Sequence, residues 1–72
     1  MAFKQSLVIQ ALKAQAEADK LKAQMALDLL TNQAVGIGDH TASDFLKDAT
    51  EALNLLTDAE DRLETIKKYY NI

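Results

Sequence analysis

Proline and cysteine are both absent from this chain of 72 residues, and glycine occurs only at Gly36 and Gly38. Without proline, nothing in the covalent chain obliges a helix to kink or stop. Without cysteine, disulfides and thiolate metal sites are excluded, and the redox compartment is left open. The single histidine, His40, cannot build a His-rich metal site, and no cofactor is expected. Basic charge is also scarce, with 8 Lys and Arg against 11 Asp and Glu. That balance argues against a general nucleic-acid binder, which carries a basic stripe or patch. No apolar run approaches the roughly 18 residues of a membrane span, so no membrane partner is expected. The run Leu7-Val8-Ile9 is too short for a signal-peptide core, and the expectation is a soluble, cytoplasmic protein.

What remains is long helix-forming sequence on either side of one break. Residues of about 3–34 and 41–70 are rich in Ala, Leu, Lys, Asp and Glu, and residues 35–40 hold both glycines. This predicts an all-α, antiparallel two-helix hairpin forming one domain over residues 1–72. At about 1.5 Å per residue the helices would be roughly 48 and 44 Å long, and a short loop makes them antiparallel neighbours. So short a chain buries little surface, and with disulfides and metals excluded, oligomerisation is the remaining reinforcement.

The second helix is the clearer half. Ala42, Phe45, Ala49, Ala52, Leu56, Ala59, Leu63, Ile66 and Tyr70 follow one another at alternating steps of three and four, a heptad seam. Leu46, Leu53 and Leu55 widen this stripe, and the opposite face, from Lys47 to Lys68, is polar. Thr41 and Asp44 resemble a capping box, with Asp39 and Ser43 as competing caps. Lys67 and Lys68 suit the negative end of the helix dipole. Asp58–Arg62 and Glu64–Lys68 have i,i+4 spacing for ion pairs. Asn71 and Ile72 are expected to fray.

The first helix carries two apolar stripes. One runs through Leu7, Ala11, Ala14, Ala18, Leu21 and Met25, and the other through Ile9, Leu12, Ala16, Ala23, Ala26 and Leu30. A helix in a simple hairpin needs one such face, so two suggest contact with helix 2 on one side and another chain on the other. Alanine is also the best helix former and need not be buried, but that does not account for Leu7, Ile9, Leu12 and Leu21. The near-continuous apolar run from Met25 to Leu30 places the strongest expected contact next to the turn. The interface residues expected are Leu7, Ile9, Leu12, Leu21, Met25, Leu30, Phe45, Leu56, Leu63, Ile66 and Tyr70. Charge supports the pairing weakly: residues 1–35 hold four bases and three acids, and residues 36–72 hold four bases and eight acids.

In the turn, Gly36 suits a left-handed helix stop, Ile37 the apolar contact that accompanies it, and Gly38 the reversal. Asp39 can begin the next helix, which leaves only His40 without a folding role. An Asp39–His40 pair beside a helix N-terminus could hold an anion or touch a partner, but catalysis needs a pocket and further groups. Gly36-Ile37-Gly38-Asp39-His40 has neither the lysine nor the preceding strand of a phosphate loop. No catalytic residue and no enzyme activity are expected. Tyr69-Tyr70 reads as a plug at the end of the core, the alternative being a recognition patch. Lys13, Lys20 and Lys22, interspersed with Glu17 and Asp19, read as a solvated face.

The segment Val35-Gly36-Ile37-Gly38-Asp39-His40, together with Ala59-Glu60-Asp61-Arg62-Leu63-Glu64, resembles small uncharacterised helical proteins of tailed phages of marine bacteria. The likeness covers residues 35–70, and only the Gly-x-Gly-Asp-His turn is at all specific. Those relatives tend to have proline after the histidine, where this chain has Thr41. The resemblance implies a phage origin and expression in the host cytoplasm, with association with the virion as a further option, but no mechanism. The function expected is a non-enzymatic oligomeric hairpin working by protein–protein contact, as a structural, assembly or adaptor component. Its partners would be itself, as a dimer first and a trimer or larger ring second, and another phage or host protein. The alternative is a dimeric regulator that binds nucleic acid or a host regulatory protein.

Overall fold

The computed structural model describes the backbone of residues 2–33 and 39–72, and the side chains of residues 7–32 and 42–72. It consists of two helices packed against each other, α1 (Ala2–Gln33) and α2 (Asp39–Tyr70), with no strand among the described residues. The hairpin is a slender rod of 57 × 14 × 13 Å. Each helix has 32 residues. The expected all-α hairpin is therefore the fold.

The start of α2 differs from the sequence expectation. Asp39 and His40, expected in the turn, already belong to the helix, and Thr41 lies within its first turn instead of capping it. A carboxylate in the first turn is favoured by the helix dipole, which gives a reason for beginning at Asp39. Gly36, Ile37 and Gly38, and the side chains of Asp39, His40 and Thr41, lie outside the described residues.

The core is small in every sense. Among the described side chains, the buried ones are Ile9, Ala16 and Ala23 on α1 and Ala52, Ala59 and Ile66 on α2. Within each helix they recur once per heptad, so they form one straight seam. Ile9 and Ile66 line one groove together, and Ala23 and Ala52 line another. The antiparallel arrangement then sets Ala16 against Ala59 between them. Ala16, Ala23 and Ala59 are 0% exposed, and no large described side chain is fully buried. The tightest packing is thus at the middle of the rod. This corrects the expectation of a strongest contact beside the turn, where Met25 and Leu29 are more than half exposed. The reason is steric: alanine, with the smallest side chain after glycine, lets two helices approach most closely.

The C-terminal end of α2 is capped and does not simply fray. Asn71 is left-handed, with φ 58°, and its N–H donates to the Lys67 carbonyl at 3.0 Å. That is the single-bond left-handed stop that asparagine can provide in place of glycine. The Lys13 Nζ reaches across from α1 and donates to the carbonyl of Ile72.

Candidate interaction surface

Of the two stripes on α1, the one containing Ile9, Ala16, Ala23 and Leu30 faces α2. Ile9 is buried and Leu30 half-buried. On α2 the seam holds: Ile66 is buried, and Phe45, Leu56 and Leu63 are half-buried. The other expected interface residues remain open to solvent within one chain. Leu12 and Tyr70 sit at the edge of the seam, 47% and 45% exposed. Leu7 and Met25 lie on the side of α1 away from α2, along with the exposed Ala11, Ala14 and Ala18, and Leu21 stands on the flank, in a hollow shared with Leu63.

Two open grooves run between the helices. One, of about 450 Å³, lies towards the turn, with Ala26, Leu29, Leu30 and Leu55 on its walls and Lys22, Asp48 and Glu51 at its rim. The other, of about 350 Å³, lies towards the chain ends and is lined by Ile9, Leu12, Thr65, Ile66 and Tyr70, with Asp61 and Arg62. The residues walling both grooves stand on the same side of the seam in helical projection: Leu12, Ala26 and Leu29 on α1, and Leu55 and Arg62 on α2. One face of the rod is therefore grooved and apolar towards both ends. The opposite flank carries a third hollow, lined mainly by Glu17, Lys20, Gln24, Leu21 and Leu63.

Between the two apolar grooves stands an ion pair. Arg62 Nη2 lies 2.8 Å from Asp19 Oδ2 across the helices, and Arg62 Nε donates to Asp58 Oδ2 at 3.1 Å. The Asp19 hydrogen bond is the chief reason that the guanidinium is held above its ordinary pKa; partial desolvation opposes it, and the charges of Asp58 and Asp19 add to it. On the opposite flank Lys20 and Glu60 approach to 3.9 Å. Of the two i,i+4 pairs expected on α2, Asp58–Arg62 forms, whereas Lys68 lies 5.4 Å over the Tyr69 ring.

Tyr69 is 69% exposed and does not close the core; only Tyr70 contributes, as one wall of the groove near the chain ends. Sequence reasoning missed Val8 and Leu29, both exposed apolar residues, because each stands beside a residue that the stripes explained (Ile9 and Leu30). It also missed the Asp19–Arg62 pair, which depends on knowing the register between the helices.

Charge is distributed along the rod. Among the described side chains, the end holding the termini (residues 7–14 and 61–72) has Lys13, Arg62, Lys67 and Lys68 against Asp61 and Glu64. The end near the turn (residues 21–32 and 42–54) has Lys22 and Lys47 against Asp28, Asp44, Asp48 and Glu51. The rod is thus basic at its open end and acidic at its turn end.

Among the described residues there is no cluster of His, Asp and Glu that could hold a metal ion. No described helix is long and apolar enough to cross a membrane. No protein-family model matches the chain, and no curated protein or solved structure matches it either.

Proposed function

We propose that this hairpin is one half or less of an oligomeric helical bundle, and that it acts by protein–protein contact without catalysis. One observation carries the reading: among the described side chains the hairpin buries only alanines and two isoleucines, while Leu7, Val8, Leu12, Leu21, Met25 and Leu29 on α1 alone are 47% or more exposed. A core of alanines removes little apolar area from water, at about 25 cal/mol per Å². The exposed leucines offer much more, and apolar side chains left open in that number favour association. A dimer forming a four-helix coiled-coil bundle is the simplest assembly. With the grooved face and the outer face of α1 both apolar, the oligomer keeps a second surface for a different protein.

The likeness of the Val35–His40 segment to small tailed-phage proteins fits a structural, assembly or adaptor component made in a host cytoplasm. A regulator that binds nucleic acid has less support, because two of the α1 lysines are engaged within the chain, Lys13 by the Ile72 carbonyl and Lys20 by Glu60. Sedimentation velocity at micromolar concentration, with circular dichroism on the same sample, tests the proposal. The expected result is a helical species of at least twice the 7.9 kDa chain mass. A fully helical monomer would refute it.

A further inference from the structure

Resting on that self-association reading, we propose that the second copy docks on the grooved face and lies end for end, so that the acidic turn end of one hairpin covers the basic open end of the other. Three observations commit the face to this occupant. The first is area. A face of 57 by 14 Å is a footprint of roughly 800 Å², about what each partner contributes to a stable interface of standard size. The grooved side is also the one on which both apolar hollows open, whereas the hollow on the other flank is rimmed by Glu17, Lys20 and Gln24.

The second observation is charge. A twofold interface is isologous, so whatever lies at one end of the rod must match whatever lies at the other end of its partner. Counted around the whole rod, four bases and two acids at the open end, against two bases and four acids at the turn end, attract when the copies are reversed and repel when they are parallel, so the charge sets the direction of the second copy and the apolar grooves set the face. The third is the polar centre. The Asp19–Arg62 pair, at 2.8 Å, is already satisfied within each chain, so covering it strands no unpaired charge, which would be the costly outcome.

Because the chain has no cysteine, a single nitroxide can be placed anywhere on it. Asp44→Cys puts the label on an exposed residue near the turn. Reversed copies separate two such labels by roughly 30–35 Å, at 1.5 Å per residue from the helix midpoint. Parallel copies bring them within about 20 Å, the width of a bundle of helices that are each about 10 Å across. The face is tested by Leu29→Glu and Leu12→Glu, one in each groove and both already about half exposed, with Leu21→Glu on the opposite flank as control. The dissociation constant is expected to rise at least tenfold in each groove variant and to be unchanged in the control. Raising salt or introducing Lys67→Glu with Lys68→Glu is expected to weaken the dimer. A monomeric parent chain would overturn the self-association reading and this proposal together. A dimer indifferent to Leu29→Glu and Leu12→Glu, or dissociated by Leu21→Glu, would leave that reading standing and overturn the face. A label distance within about 20 Å, or a dimer strengthened by salt, would overturn the reversed orientation.

Discussion

Ala59→Leu probes the seam directly. Ala59 and Ala16 are both 0% exposed and stand against each other at mid-rod, and neither lines either of the two apolar grooves. Burying three further carbons could contribute at most about 2.4 kcal/mol, at about 0.8 kcal/mol per CH₂. That gain requires space. With Ala16 and Ala59 both fully buried where the helices meet, the leucine must leave its preferred rotamer or push the helices apart, and overpacking of this kind costs about 1–3 kcal/mol. A net loss of about 2 kcal/mol lowers the melting temperature of a domain this size by about 8–16 °C. The matched control is Ala52→Leu, where the side chain can turn into the adjoining groove of about 450 Å³. There the change should stay within about 1 kcal/mol, or a few degrees. The assay is thermal unfolding followed by circular dichroism, with all variants at one protein concentration because association makes the midpoint concentration-dependent. If Ala59→Leu melts at or above the parent temperature, the helices are not in close contact at mid-rod and the steric argument is wrong.

Other perturbations follow from the same contacts. Ile66→Ala removes a residue that is 8% exposed beside an open groove, so its cost should fall at the low end for isoleucine truncation, about 2 kcal/mol by urea titration. Asp19→Asn should lower the melting temperature more than Asp58→Asn, because Asp19 reaches Arg62 at the shorter distance and its side chain is 29% exposed against 65% for Asp58. The sign for Arg62 follows from its raised pKa: its contribution is complete at every pH below the ordinary arginine value and is lost only as pH rises through the higher folded value. Stability measured across the neutral range should therefore show no loss attributable to Arg62. Thr50 is exposed and turns its hydroxyl back to the Leu46 carbonyl at 2.8 Å, so Thr50→Ala should stabilise the hairpin by about 0.5 kcal/mol in the same titration.

Helix α2 was legible in its sequence because one face is apolar at every step from Phe45 to Ile66 and the other is polar; a single pattern admits a single orientation. Helix α1 was not, because Leu7, Leu21 and Met25 advertise burial as strongly as Ile9, Leu12 and Leu30 do. Both stripes carry alanine at their centre, Ala16 and Ala23 in one and Ala11, Ala14 and Ala18 in the other, so neither composition nor residue size chooses between them. Ala16 and Ala23 are the ones buried, on the side that meets Ala52 and Ala59. The Asp19–Arg62 pair could not be read either, since it depends on a register that no local spacing encodes. At the chain end, fraying is the expectation that a terminal position suggests, whereas asparagine tolerates the left-handed conformation that a helix stop requires, and Asn71 adopts it.

The alanine seam has a consequence for how such a protein can change over time. The gauge between the two helices is set by methyl groups that have no rotamers to vary, so it stays constant while the outer residues are exchanged. Leu21, Leu29, Leu46 and Leu53 are each at least half exposed and take no part in setting that gauge. New partners can therefore be accommodated by rewriting the outside of the rod, one residue at a time, with the distance between its rails unaltered.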